Sequence, residues 1–173
     1  MRRSAIFFAM LFTAGPLGAA TFEFTGTAKS VDSQSLLYAE RHQVTGTCSE
    51  AGFEPIEHTV TYHEGPDDRQ FAVKTLEYDQ HPSRPSVVFR QPDFDESLEI
   101  RFTDSNQLTI DWQPPSENRK RFQVIYSNRL VIDAGFDQFV RANWQAVTAG
   151  ESLPFRFLAP TRGDHYGFVL EPA

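Results

Sequence analysis

Beyond residue 20 most of the chain alternates apolar and polar positions with a period of two, the mark of strands buried on one face. Phe22 and Phe24 fall on one side of TFEFTG, and Leu36, Tyr38 and Val44 share a side of SLLYAERHQVTG. In IEHTVTYH, Ile56, His58, Val60 and Tyr62 make one face, and Glu57, Thr59, Thr61 and His63 the other. The same alternation predicts strands over 71–78, 86–90, 98–103, 108–113, 122–127, 153–159 and 165–171. The clearest hairpin pairs Leu98, Ile100 and Phe102 with Leu108, Ile110 and Trp112 around Asp104, Ser105 and Asn106. Turn-forming residues punctuate the rest: Gly65 to Asp68, His81-Pro82, Arg84-Pro85 and Pro114-Pro115.

One segment leaves the two-residue period. Between Asp133 and Gly150, Phe136, Phe139, Val140, Trp144 and Val147 recur at helical spacing. Asp133 is the expected N-cap, and Gly150 the expected stop. The pattern therefore predicts an α+β chain, mostly β. A bent antiparallel sheet or half-barrel of about ten strands wraps one substantial helix at about 134–149. Residues 21–173 read as a single β-rich domain. The stretch 165–171 is either an edge strand or the point where further strands are missing, and the sequence leans to a C-terminally shortened chain.

The first twenty residues have a different character. Arg2 and Arg3 precede the apolar run Ala5 to Phe12, and Gly18 and Ala20 stand at −3 and −1 of a cut before Thr21. Residues 1–20 thus read as a signal peptide, and the expected address is periplasmic. The run is too short to span a bilayer, and no later segment approaches twenty apolar residues, so no integral membrane segment is expected after cleavage. Cys48 is the only cysteine and no L-x-x-C pattern closes the leader, which argues against a disulfide or a lipid anchor.

Without Arg2 and Arg3, 14 basic residues face 23 acidic ones, a net charge of −9. Such a surface repels nucleic acid, which is therefore not an expected partner. Thirteen of the sixteen phenylalanines lie beyond Ala20, enough aromatic area for a sizeable core or for an aromatic-lined cavity.

Catalytic and metal chemistry find little local support. His58 and His63, five apart, point to opposite faces of one strand. Glu57 and His63 share a face but lie roughly 20 Å apart. Histidines at the surface or rim are the expectation, with a long-range site the exception. The acidic run Asp93, Asp95, Glu96 is interrupted by Phe94 and lacks the glycine of a calcium loop. No nucleophile elbow, zincin helix or phosphate-cradling loop occurs, and Cys48 lacks a setting that would activate a thiol. No catalytic residue, metal ligand or cofactor is assigned.

The block DAGFDQFVRANWQAVTAGESLPFRFLAPTR, residues 133–162, resembles a family of exported proteobacterial proteins of unassigned function. SVDSQSLLYAERHQV, residues 30–44, is similar to that family's opening hairpin region. The resemblance implies a somewhat longer β-rich chain and carries no catalytic residues with it. In architecture alone the chain is loosely similar to periplasmic lipoprotein-carrier half-barrels, which shelter acyl chains.

These readings converge on a non-enzymatic periplasmic protein that binds an apolar or lipid-like ligand in an aromatic-lined concave sheet gated by the helix. Phe136, Phe139, Trp144, Phe155 and Phe157 are the expected lining. A second expectation is an envelope assembly protein that docks a partner protein through a sheet edge. A third is a hydrolase, which requires at least two of His42, His58, His63 and His165 to meet a carboxylate in one cleft.

Overall fold

The period-two segments form ten of the eleven strands in a computed structural model that describes residues 18–50, 52–65 and 67–172. The charged and apolar regions that read as a signal peptide lie outside the described residues. Gly18 to Ala20 are already strand, paired with Cys48, Thr47 and Gly46.

Eight strands make one antiparallel meander whose spatial order is the chain order. They are β1 (Gly18–Lys29), β2 (Leu36–Ser49), β3 (Gly52–Glu64), β4 (Arg69–Glu77), β5 (Ser86–Gln91), β6 (Glu96–Asp104), β7 (Gln107–Gln113) and β8 (Lys120–Ile125). The hairpin read from the sequence is β6–β7, with Leu98 opposite Trp112, Ile100 opposite Ile110 and Phe102 opposite Leu108. A smaller sheet holds β9 (Leu130–Val131), β10 (Leu153–Ala159) and β11 (Asp164–Leu170), in the order β11–β10–β9. β10 pairs antiparallel with β11 and parallel with β9. The fold is α+β and mostly β, with a large antiparallel sheet that does not close.

Register gives the large sheet two unlike faces. Phe24, His42, Val60 and Lys74 follow one another across β1 to β4, and Phe22, Val44, His58, Leu76, Val87, Ile100 and Ile110 form the next row. The opposite face carries Glu23, Gln43, Thr59, Thr75, Glu99, Asp111 and Arg121, cross-linked by polar pairs such as Gln43–Glu23 at 3.0 Å and Arg121–Asp111 at 2.7 Å. The first face is the inner one. Its Val60, Leu76, Val87, Ile100, Leu108, Ile110 and Val124 pack with Leu130, Ile132 and Leu158 of the small-sheet layer into the core.

The predicted helix is two: α1 (Gly135–Ala142) and α2 (Trp144–Thr148). Asn143 separates them because its side-chain amide donates to the Phe139 carbonyl at 2.8 Å, and its backbone leaves the helical region at φ −110°. Asp133 is not the N-cap. It adopts a left-handed φ of 48°, and its carboxylate accepts from the Ala134 N–H at 2.8 Å and from Lys74 at 2.7 Å. The capping position falls to Ala134, which offers no side chain. Gly150 ends the segment as expected, at φ +93°.

Coverage of the inner face is uneven, and this positions the site. The small sheet closes the β8 end, where Gly163 seats against the Phe122 ring and His165 Nε2 lies 3.2 Å from the Ile125 carbonyl. Gly135 docks α1 on Ser83 and Pro85, between β4 and β5. The β1 end has less above it: Phe22 and Phe24 are half exposed. β11 is an edge strand, with Tyr166, Phe168 and Val169 exposed. Among the described residues no helix is long and apolar enough to cross a membrane.

Candidate functional site

A cavity of about 370 Å³ lies where α1 crosses the less covered end of the inner face. Its apolar wall is Phe22 and Phe24 from β1, Val44 from β2, Phe53 from β3, and Tyr78 just after β4. The Phe22 and Phe53 rings meet edge to face at 4.8 Å. The helix side supplies Ala134, Asp137, Gln138 and Arg141, and the sheet floor supplies His58.

The residues of α1 explain this division of labour. Phe136 and Phe139 point one way along the helix, whereas Ala134, Asp137, Gln138 and Arg141 occupy the other side. The aromatic side joins the small sheet: Phe136 lies 5.5 Å from Phe155, Phe139 lies 5.1 Å from Phe155, and Phe168 stacks on Phe155 at 5.7 Å. The polar side is thereby turned toward β1–β3. Arg141 reaches across to the Phe53 carbonyl at 3.4 Å and to Gln138 at 3.3 Å, and makes no ion pair among the described residues.

Under the cavity runs a short polar chain. Glu40 Oε2 lies 3.2 Å from His42 Nε2, and His42 Nδ1 lies 3.0 Å from His58 Nε2. The Phe24 ring stacks on His42 at 4.3 Å with planes 7° apart, which fixes the imidazole's orientation. Contrary to the expectation of surface histidines, His58 is only 3% exposed. Strand alternation sends it inward beneath α1, and His42 satisfies its ring nitrogen. Burial, with help from His42 and Lys74 and against Asp133, lowers its pKa to about 4, so it is neutral at neutral pH. Burial also raises the Asp137 carboxyl, with Asp133 reinforcing and His42 opposing. The same cause raises the Tyr78 phenol. Near this chain, the Asp133 carboxylate holds Lys74 above its ordinary range although burial opposes it.

His63 and His165 do other work. His63 is buried as well, but on the far side of β3, between Thr61 Oγ1 at 2.9 Å and the Asp68 carbonyl at 3.1 Å. His165 accepts from Arg156 Nε at 2.6 Å and ties the two sheets together. So His42, His58 and Glu40 do converge beside one cleft, while His63 and His165 stand apart. Among the described residues no group of three or more histidine, cysteine, aspartate or glutamate side chains is placed to hold a metal ion.

Of the five residues read as lining, the structure brings Phe136, Phe139, Phe155 and Phe157 together in the cluster around Phe168. Trp144 is 58% exposed and joins none of these ring contacts. None of the five borders the cavity beside His58. Phe155 borders a separate open depression with Arg129, Arg156 and Phe168. The residues that sequence reading missed are Phe22, Phe24 and Val44, whose alternation was legible but whose cover was not, and Phe53, which lies ahead of the strand expected from Ile56. No family model, curated protein or solved structure matches this chain.

Proposed function

We propose that this is an exported, periplasmic, non-enzymatic binding protein that holds an apolar or lipid-like ligand between α1 and the β1–β3 part of the inner face. The observation that carries the reading is the cavity itself: about 370 Å³, walled by Phe22, Phe24, Val44, Phe53 and Tyr78, with a few converging polar groups. That size and make-up are those of small-molecule sites. Native mass spectrometry of protein purified from periplasm, with solvent extraction of what accompanies it, tests the reading. An apolar adduct is expected on the wild type, and its loss on Val44→Trp, which fills the cavity. A folded wild-type protein that never carries or takes up an apolar molecule overturns the reading. It would favour docking through an edge such as β11, where Tyr166, Phe168 and Val169 are exposed.

A second reading, hydrolysis, has one observation in its favour: two histidines and a carboxylate meet beside the cavity. Against it, a histidine with a pKa of about 4 is a weak base at neutral pH. A panel of acyl esters at pH 7 discriminates, since turnover abolished by His58→Gln supports hydrolysis and absence of turnover removes it.

A further inference from the structure

With both imidazoles uncharged, the chain Glu40–His42–His58 orders their protons. A carboxylate only accepts, so the His42 nitrogen facing Glu40 at 3.2 Å, Nε2, carries the hydrogen. A neutral imidazole has one N–H, which leaves His42 Nδ1 as an acceptor. His58 Nε2, 3.0 Å away, must then be the donor, and His58 Nδ1 is left with a bare lone pair. No other described residue bonds that Nδ1. No sealed, unpartnered side-chain nitrogen or oxygen exists among the described residues, so the atom is not walled off. His58 is among the residues lining the cavity.

Resting on the binding reading above, we propose that the ligand is an apolar alcohol or phenol whose hydroxyl donates to His58 Nδ1 while its hydrocarbon body packs on Phe22, Phe24, Val44 and Phe53. Several features suit this class. The imidazole plane cannot turn freely, because Phe24 clamps His42 and His42 holds His58. Burial keeps His58 uncharged, so it accepts rather than donates. An ether or hydrocarbon of the same shape would cover the lone pair without pairing it, and leaving a desolvated acceptor unpaired is costly. A carboxylate finds Arg141 on the helix side but meets a second acceptor at His58 and the acidic side chain of Asp137. Glu40 and His42 are positioning residues: they set the tautomer without touching the ligand.

Calorimetric titration with 2-naphthol and 2-methoxynaphthalene, a matched pair with and without the donor, tests the proposal on mature protein freed of adducts. The wild type is expected to bind the naphthol at least about tenfold more tightly than the ether. His58→Phe, which keeps the ring and removes the acceptor, is expected to erase that margin by weakening the naphthol alone. Glu40→Gln supplies a second route should His58→Phe fail to fold. It frees the tautomer, and the margin should shrink while the ether still binds. Imidazole ¹⁵N spectra should show His58 protonated at Nε2 in the wild type. Equal affinity for both probes in the wild type overturns this inference and leaves the cavity reading standing. A margin that survives His58→Phe, or a His58 protonated at Nδ1, also overturns it. If neither probe binds, this inference falls, and the cavity reading is decided by the native mass spectra.

Discussion

At the scale of single residues, His58 ties the chemistry of the site to the stability of the fold. Its ordinary pKa of 6.5 applies to the unfolded chain, and burial lowers it to about 4 in the folded one. Between those values the unfolded state binds a proton that the folded state refuses, so stability is full above about pH 6.5 and is lost as pH falls toward 4. The loss is on the order of 3 kcal/mol when complete. Asp137 works in the opposite direction: its raised carboxyl takes a proton in the folded state first, which offsets part of the loss. Denaturant midpoints at pH 7.5 and 4.5 check this. The wild type should weaken at the lower pH, and His58→Phe should weaken distinctly less. Sequence spacing correctly put His58 and His63 on opposite faces. It could not show that His42 on the neighbouring strand would come within hydrogen-bonding distance, because cross-strand register follows from the pairing of Ser49 with Gly52 and from a bulge at Thr45/Gly46.

Among the elements, α1 depends on a contact with no side chain of its own. A Cβ on Gly135 would lie 2.4 Å from the Ser83 carbonyl oxygen and 2.6 Å from its carbon, backbone atoms held in turn by the Ile132 N–H at 3.0 Å. Alanine at a helical position ordinarily gains up to about 1 kcal/mol over glycine. Here the clash should reverse the sign, and Gly135→Ala should cost about 1–3 kcal/mol, read as a lower denaturation midpoint. Strand positions were the legible part of the elements: 153–159 coincides with β10, and the β6–β7 pairing followed from alternation on either side of Asp104, Ser105 and Asn106. β9 was not legible, because Leu130 and Val131 are strand only by virtue of β10 beside them. Nor was the break at Asn143, since the apolar spacing of Phe139, Val140, Trp144 and Val147 runs through it undisturbed. There a single side-chain hydrogen bond overrides the pattern.

For the whole molecule, the class was written in the period of the chain, and the site was not. Alternation assigns each residue to one of two faces. It is silent on which stretch of the inner face another layer will cover. Phe136, Phe139, Phe155 and Phe157 were apolar enough to line a cavity, but helix and small sheet meet there and fill the space with one another's rings. Phe22 and Phe24 look the same on paper, yet they project from the first strand of the meander, where the covering layer is thin.

That β1 is an outer strand bears on how a bound molecule would leave. α1 is held by Gly135 on Ser83, by Lys74 on Asp133 and by its phenylalanines on β10, so it makes a poor door. Among the described residues β1 is zipped to β2 alone, although it contributes two of the cavity's four phenylalanine and valine side walls. Outer strands open more readily than docked interiors. Hydrogen exchange should therefore show faster opening at residues 21–26 than at 135–142, and a bound naphthol should slow the first group more than the second. Residence time then becomes a property of the sheet's hem. Substitutions at Glu23 or Gln43, which tie β1 to β2 on the far face at 3.0 Å, would lengthen or shorten occupancy without altering the chamber they help to close.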